Sequence, residues 1–106
     1  MGQPRRPGSD VSTFVGLLSV EVFLPDAQSL KDKRGVIRSI VEGARHRFNV
    51  AAAEVGSQNL WQRAQLGFAA VSNTQQHTTE VIDQVSRFVW SFSEIEVLDE
   101  ERTWLS

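Results

Sequence analysis

The stretch F-V-G-L-L-S-V-E-V-F-L, Phe14 to Leu24, decides the fold. It is rich in β-branched and aromatic residues, and Pro25-Asp26 closes it. Leu18, Val20, Val22 and Leu24 fall on one face, while Ser19 and Glu21 fall on the other. That alternation predicts a first strand with one buried face. Such a face needs a covering layer, and the next segment supplies one. Ser29 precedes a long helical pattern with Asp32 at the third helical position, a capping-box-like start. At about 100° per residue, with Lys31 at zero, Leu30, Ile37, Ile40, Val41, Ala44 and Phe48 gather around roughly 240°. A single apolar stripe packs on a sheet. Gly35 and Gly43 lie inside this helix and should each weaken it by about 1 kcal/mol relative to alanine, with close packing as the expected reason for their presence.

Outward from this pair, Val50 to Val55 reads as a short strand ending at Gly56. Gln62 to Ser72 reads as another, with Ala64, Leu66, Phe68 and Ala70 on one face and Arg63, Gln65 and Gly67 on the other. The connection from Gly56 to Trp61 has turn composition, so the two strands form a hairpin. A second helix begins near Asn73 or Thr74 and gathers Val81, Ile82, Val85, Phe88, Val89 and Phe92 on one side. Glu94 to Leu105 reads as an acidic, edge-like strand. The order strand, helix, strand, strand, helix, strand predicts an α+β, ferredoxin-like βαββαβ sandwich. Its four-stranded antiparallel sheet carries both helices on one face, as a single domain over residues 13–106. Residues 1–12 hold two prolines, two glycines and Arg5-Arg6, and read as a disordered tail. The apolar run after that pair is too short for an export leader and lacks a small-x-small cleavage site. No stretch approaches the roughly 20 apolar residues of a membrane span, so a cytoplasmic protein without membrane contact is expected.

The chain has 106 residues and no cysteine, which excludes a disulfide scaffold, thiolate-ligated zinc and a thiol nucleophile. Its net charge of −2 hides an uneven distribution. Residues 1–50 balance to +3 and residues 51–106 to −5. His46 and His77 stand in different helices with no carboxylate at ligand spacing, so no metal or other cofactor is expected.

Two longer segments carry a resemblance: S-L-K-D-K-R at Ser29 to Arg34, and F-N-V-A-A-A-E-V-G-S-Q-N-L-W-Q-R-A-Q-L-G at Phe48 to Gly67. With V-G-L-L at Val15 and A-V-S-N at Ala70, they resemble the YlxP-like family of small bacterial proteins of unknown function, over about residues 14–100. The resemblance implies a ferredoxin-like fold and, because the family's genes often sit beside those for translation initiation factor 2 and a ribosome-binding factor, a role near RNA or the ribosome. It implies no catalytic residue.

The residues themselves offer one basic surface. Lys31, Arg34, Arg38 and Arg45 fall within a stripe roughly 60° wide beside the apolar face of the first helix, and Lys33 and Arg47 add charge elsewhere on it. Such a stripe can track a phosphate backbone. The plainer alternative is a solvated face trimmed by Glu42, spaced to pair with Arg38 and Arg45. Trp61 and Arg63 form a second candidate for stacking or anchoring, against the alternative that Trp61 caps the core and Glu54 pairs with Arg63 across the hairpin. The outward face of the third strand has no aromatic residue, unlike RNA-recognition motifs. Its half-apolar character points instead to a homodimer through the open sheet face. Acylphosphatases share the fold class, but the loop Pro25 to Ser29 lacks their glycine and arginine, and Asp26 repels phosphate. The expectation is a non-enzymatic binding protein, with no small-molecule substrate identified. It associates with RNA or the ribosome through Lys31, Lys33, Arg34, Arg38, Arg45, Trp61 and Arg63. The other reading is an oligomeric protein-interaction module.

Overall fold

A computed structural model describes residues 12–105. Its elements run β1 (Phe14–Phe23), α1 (Leu30–Phe48), β2 (Ala51–Gly56), β3 (Arg63–Ser72), α2 (Gln75–Trp90) and β4 (Glu96–Leu105). The tail read over residues 1–12 lies, apart from Ser12, outside the described residues. The strands form one antiparallel sheet in the order β2-β3-β1-β4, which is the expected α+β ferredoxin-like arrangement. β1 is central because its inward positions are all apolar. Leu18, Val20, Val22 and Leu24 are buried against Ala64, Leu66, Phe68 and Ala70 of β3 and against Ile37, Ile40, Ile82, Val85 and Val89 of the helices. Among the described residues, no helix is long and apolar enough to cross a membrane.

Local chemistry sets the element ends. Ser29 Oγ accepts from Asp32 N at 3.0 Å, and Asp32 reaches back to accept from Gln28 N at 3.0 Å, so the start of α1 is satisfied from both sides. Asn49 ends the helix in the left-handed conformation at φ 53°, which postpones β2 to Ala51. Thr74 caps α2 by accepting from His77 N at 3.1 Å. β4 begins at Glu96 rather than Glu94, because a turn closed by Ile95 N donating to Phe92 O occupies the intervening residues. β4 is an edge strand, as its acids predict, and a bulge near Leu98 interrupts its pairing with β1.

The two helical glycines separate. A Cβ on Gly43 would stand 2.6 Å from Phe88 Cζ, so this glycine admits the ring that joins the helices. That ring also meets Phe48 and Phe92 edge-on. Gly35 has open space, so close packing does not account for it. Gly35→Ala is therefore expected to raise unfolding free energy by about 0.5–1 kcal/mol. Gly43→Ala should lower it by about 1 kcal/mol through overpacking, and urea denaturation of both variants reads the opposite signs.

Candidate nucleic-acid interface

α1 places Arg34, Arg38 and Arg45 along one side of the helix, and they line a groove of about 280 Å³ between α1 and the edge strand β2. Ile37 and Val41 form part of its wall, and Ala53 and Glu54 come from β2. Among the described residues, no ion pair joins Glu42 to Arg38 or Arg45, although Glu42 lines the same groove. Arg45 Nη2 donates to the Ala52 carbonyl, which fixes one guanidinium at the groove's far end. Lys31 is exposed on the first turn.

Lys33 departs from its expected place. It is 1% exposed, and its Nζ lies 2.6 Å from Ser57 O, 2.7 Å from Leu60 O and 2.8 Å from Glu54 Oε2. All three donors are spent inside the molecule, so Lys33 is not a nucleic-acid ligand. The Glu54 contact is ionic rather than a well-aligned hydrogen bond, since Oε2 accepts none. The wheel held the signal: Lys33 falls at roughly 200°, inside the apolar stripe rather than beside it. A cation placed there needs buried acceptors, and the turn carbonyls of the hairpin are those acceptors.

Arg63 keeps the outward sheet face that the alternation of β3 predicts, but its partner is not Glu54: Nη1 binds Glu21 Oε2 at 2.9 Å, while Glu54 belongs to Lys33. The groove and Arg63 are on different surfaces. Trp61 is 53% exposed and does not cap the core. Its loop is nevertheless held beside the first turns of α1, because Lys33 grips Ser57 and Leu60. Gln62, which the sequence offers as the start of a strand and as one of the amides beside Trp61 in the candidate segment Gln58 to Arg63, adds a second tie instead. Its Nε2 donates to Pro25 O at 3.1 Å and Ala27 O at 3.3 Å, and Leu24 N donates to Gln62 O at 2.9 Å. The two sequence segments that carry the resemblance thus meet in space, knitting the hairpin loop to the β1–α1 connection.

Fold and groove together define a small α+β sandwich with a cationic helix–strand groove and a tethered aromatic loop. A family model described as "Protein of unknown function (DUF503)" matches residues 15–102. The chain is also 40% identical over 83 residues to "Uncharacterized protein YlxP" of Bacillus subtilis (strain 168), covering 78% of this chain and 90% of that protein. The chain belongs to the DUF503 family, and its likeness to YlxP extends over nearly the whole of that protein.

Removing the Lys33 ammonium strands the Glu54 carboxylate and two turn carbonyls. Lys33→Met should cost about 3 kcal/mol, a loss softened by the partial exposure of Glu54. Lys33→Met combined with Glu54→Leu should recover part of it. Thermal melts check both, with each kcal/mol worth about 4–8 °C in a domain of this size.

Proposed function

We propose that this protein binds single-stranded RNA through the groove between α1 and β2, and that it does so in the cytoplasm. The observation that carries the reading is the set of three arginines along one groove with no ion-pair partner among the described residues. Guanidinium forks match phosphate oxygens in a bidentate manner, and they hold their charge at any physiological pH. Arg34 and Arg45 are eleven positions apart, about 16 Å along the helix axis, a span suited to roughly three phosphates of an extended strand. Glu54 does not cancel this charge, because Lys33 neutralises it from behind. Glu42 alone opposes three cations. Exposed Trp61, tethered near the Arg34 end, supplies a stacking platform for a base. A ribosomal RNA segment is the fitting target class, since ribosomes expose single-stranded elements. Binding rather than catalysis suits the residue set, because arginine does not exchange protons at neutral pH.

Titration of a labelled single-stranded RNA at several salt concentrations tests the reading. Three phosphate contacts at about 0.7 each predict a slope near −2 in log affinity against log salt. Arg34→Glu with Arg38→Glu should abolish binding, whereas Arg87→Glu, on α2, removes the same kind of charge from another surface and should leave most of it. Trp61→Ala should weaken binding by about 1–3 kcal/mol while the salt slope stays unchanged. No binding at low salt, or unchanged binding by the double variant, refutes the proposal.

A further inference from the structure

The sheet face turned away from the helices is open along all four strands. Val71, Val55 and Leu105 stand on it at 66%, 58% and 52% exposure. Its relief is uneven. A trough of about 470 Å³ lies over the middle of the sheet. Gly67 and Ala69 of β3 and Ala51 and Ala53 of β2 floor it, and it is bordered by Leu17 and Ser19 of β1 and by Glu101 and Thr103 of β4. Along its border β1 presents the larger side chains Val15 and Leu17 and, beyond Ser19 and Glu21, Phe23, which together form a ridge. Gly67 keeps the trough low, since a Cβ there would stand 3.3 Å from Val55 Cγ1. The cation on the face, Arg63, is already bound to Glu21, and the charge bordering the trough is the anionic Glu101, so the centre offers no free cation to a polyanion.

We propose that a second copy of this chain covers this face in a two-fold dimer, with the β1 ridge of each copy seated in the β3 trough of the other. Three ten-residue strands and the six-residue β2, at about 3.3 Å per residue and about 4.8 Å apart, make a face of roughly 570 Å² before side-chain relief is counted. That approaches the roughly 800 Å² per partner of a specific interface. Charge selects the orientation. Stacked sheets related by a two-fold axis place either β4 over β4 or, with the axis along the strands, β4 over β2. Asp99 and Glu101 share the outward face of β4, so the first arrangement brings four carboxylates together. The second sets them over Ala51, Ala53 and Val55, which carry no charge. It also places β1 over β3, which is the arrangement the ridge and trough require. A rotation about the strand axis preserves height, so Leu17 meets Ala69 of the second copy, its neighbour in sheet register. The arginines of α1 lie on the helix side of the sheet, so the dimer leaves them uncovered; Ala53, on the β2 edge, borders both surfaces, and Ala69→Glu is the variant that touches the trough alone.

Sedimentation velocity and directed cross-linking test the arrangement. The wild-type chain should sediment as a dimer at tens of micromolar. Ala69→Glu, which buries an unpaired charge at the trough floor, should sediment as a monomer with an unchanged far-ultraviolet spectrum. Ala53→Glu, at an exposed site on β2, should do the same and serves if the first variant misfolds. The chain has no cysteine, so single cysteines report position cleanly. A mixture of Ala51→Cys and Thr103→Cys proteins should join through a short bis-maleimide, and Thr103→Cys alone should not. A wild-type monomer at every concentration overturns the dimer. Cross-linking of Thr103→Cys alone overturns its orientation, and dimers that survive both glutamates overturn the choice of face.

Discussion

The Lys33 ammonium, withdrawn from water and held by Glu54, Ser57 and Leu60, is the contact on which the hairpin end of the molecule depends. Moving an ammonium into a protein interior costs several kcal/mol unless its donors are all matched. Here two carbonyls and a carboxylate match them, and the geometry admits little slack. Ser57 illustrates the constraint. It adopts a positive φ of 59°, unfavourable for a residue with a Cβ, and its carbonyl is one that Lys33 grips. Helix position and turn conformation therefore specify each other. Trp61, one residue beyond Leu60, takes its place from the same grip, as does Glu54 at the wall of the arginine groove.

The two sheet edges are closed to further strands by different means. On β2, the carbonyls of Ala52 and Glu54 accept from Arg45 and from Gln58. These carbonyls are two residues apart and point to one side, so an incoming strand finds its acceptors occupied. On β4, acids and a bulge do the work. The helix-facing acid, Glu100, is drawn inward by Ser86 Oγ at 2.9 and 2.7 Å and by Trp90 Nε1 at 3.3 Å, and Arg102 binds Asp83. β4 is thus riveted to α2 by polar contacts where its partners have apolar ones. The uneven charge of the chain follows from this division, with cations along α1 and anions along β4.

The sheet order and its buried face were legible because β1 and β3 alternate without interruption, and a one-residue slip would expose every large side chain. The helices were legible from their apolar stripes and from Ser29 and Thr74 at their starts. The arginines of the groove were legible as a stripe, since helical spacing alone places Arg34, Arg38 and Arg45 together. Lys33 was misplaced because charge suggests exposure, and whether a cation is buried depends on acceptors distant in sequence, here Ser57 and Glu54. Arg63 was placed on the correct face, but its partner Glu21, forty-two positions upstream, was not legible. The role of Gln62 as a tie was not legible for the same reason, because the carbonyls it binds belong to a loop thirty-odd residues upstream. Gly43 was read correctly as a packing site, and Gly35 was not, because composition cannot tell a glycine beneath a ring from one beneath solvent.

The tryptophans have a consequence of another kind. The chain contains three tryptophans and no tyrosine. None of the three sits in the apolar cluster: Trp61 rides the hairpin loop, Trp90 reaches toward Glu100, and Trp104 lies across Gly16, where its ring takes the space of an absent Cβ. The intrinsic emission of this protein therefore originates entirely at its periphery. It divides between the loop that Lys33 secures and the seam between α2 and β4, so light from the native protein describes its borders while the core between sheet and helices stays dark.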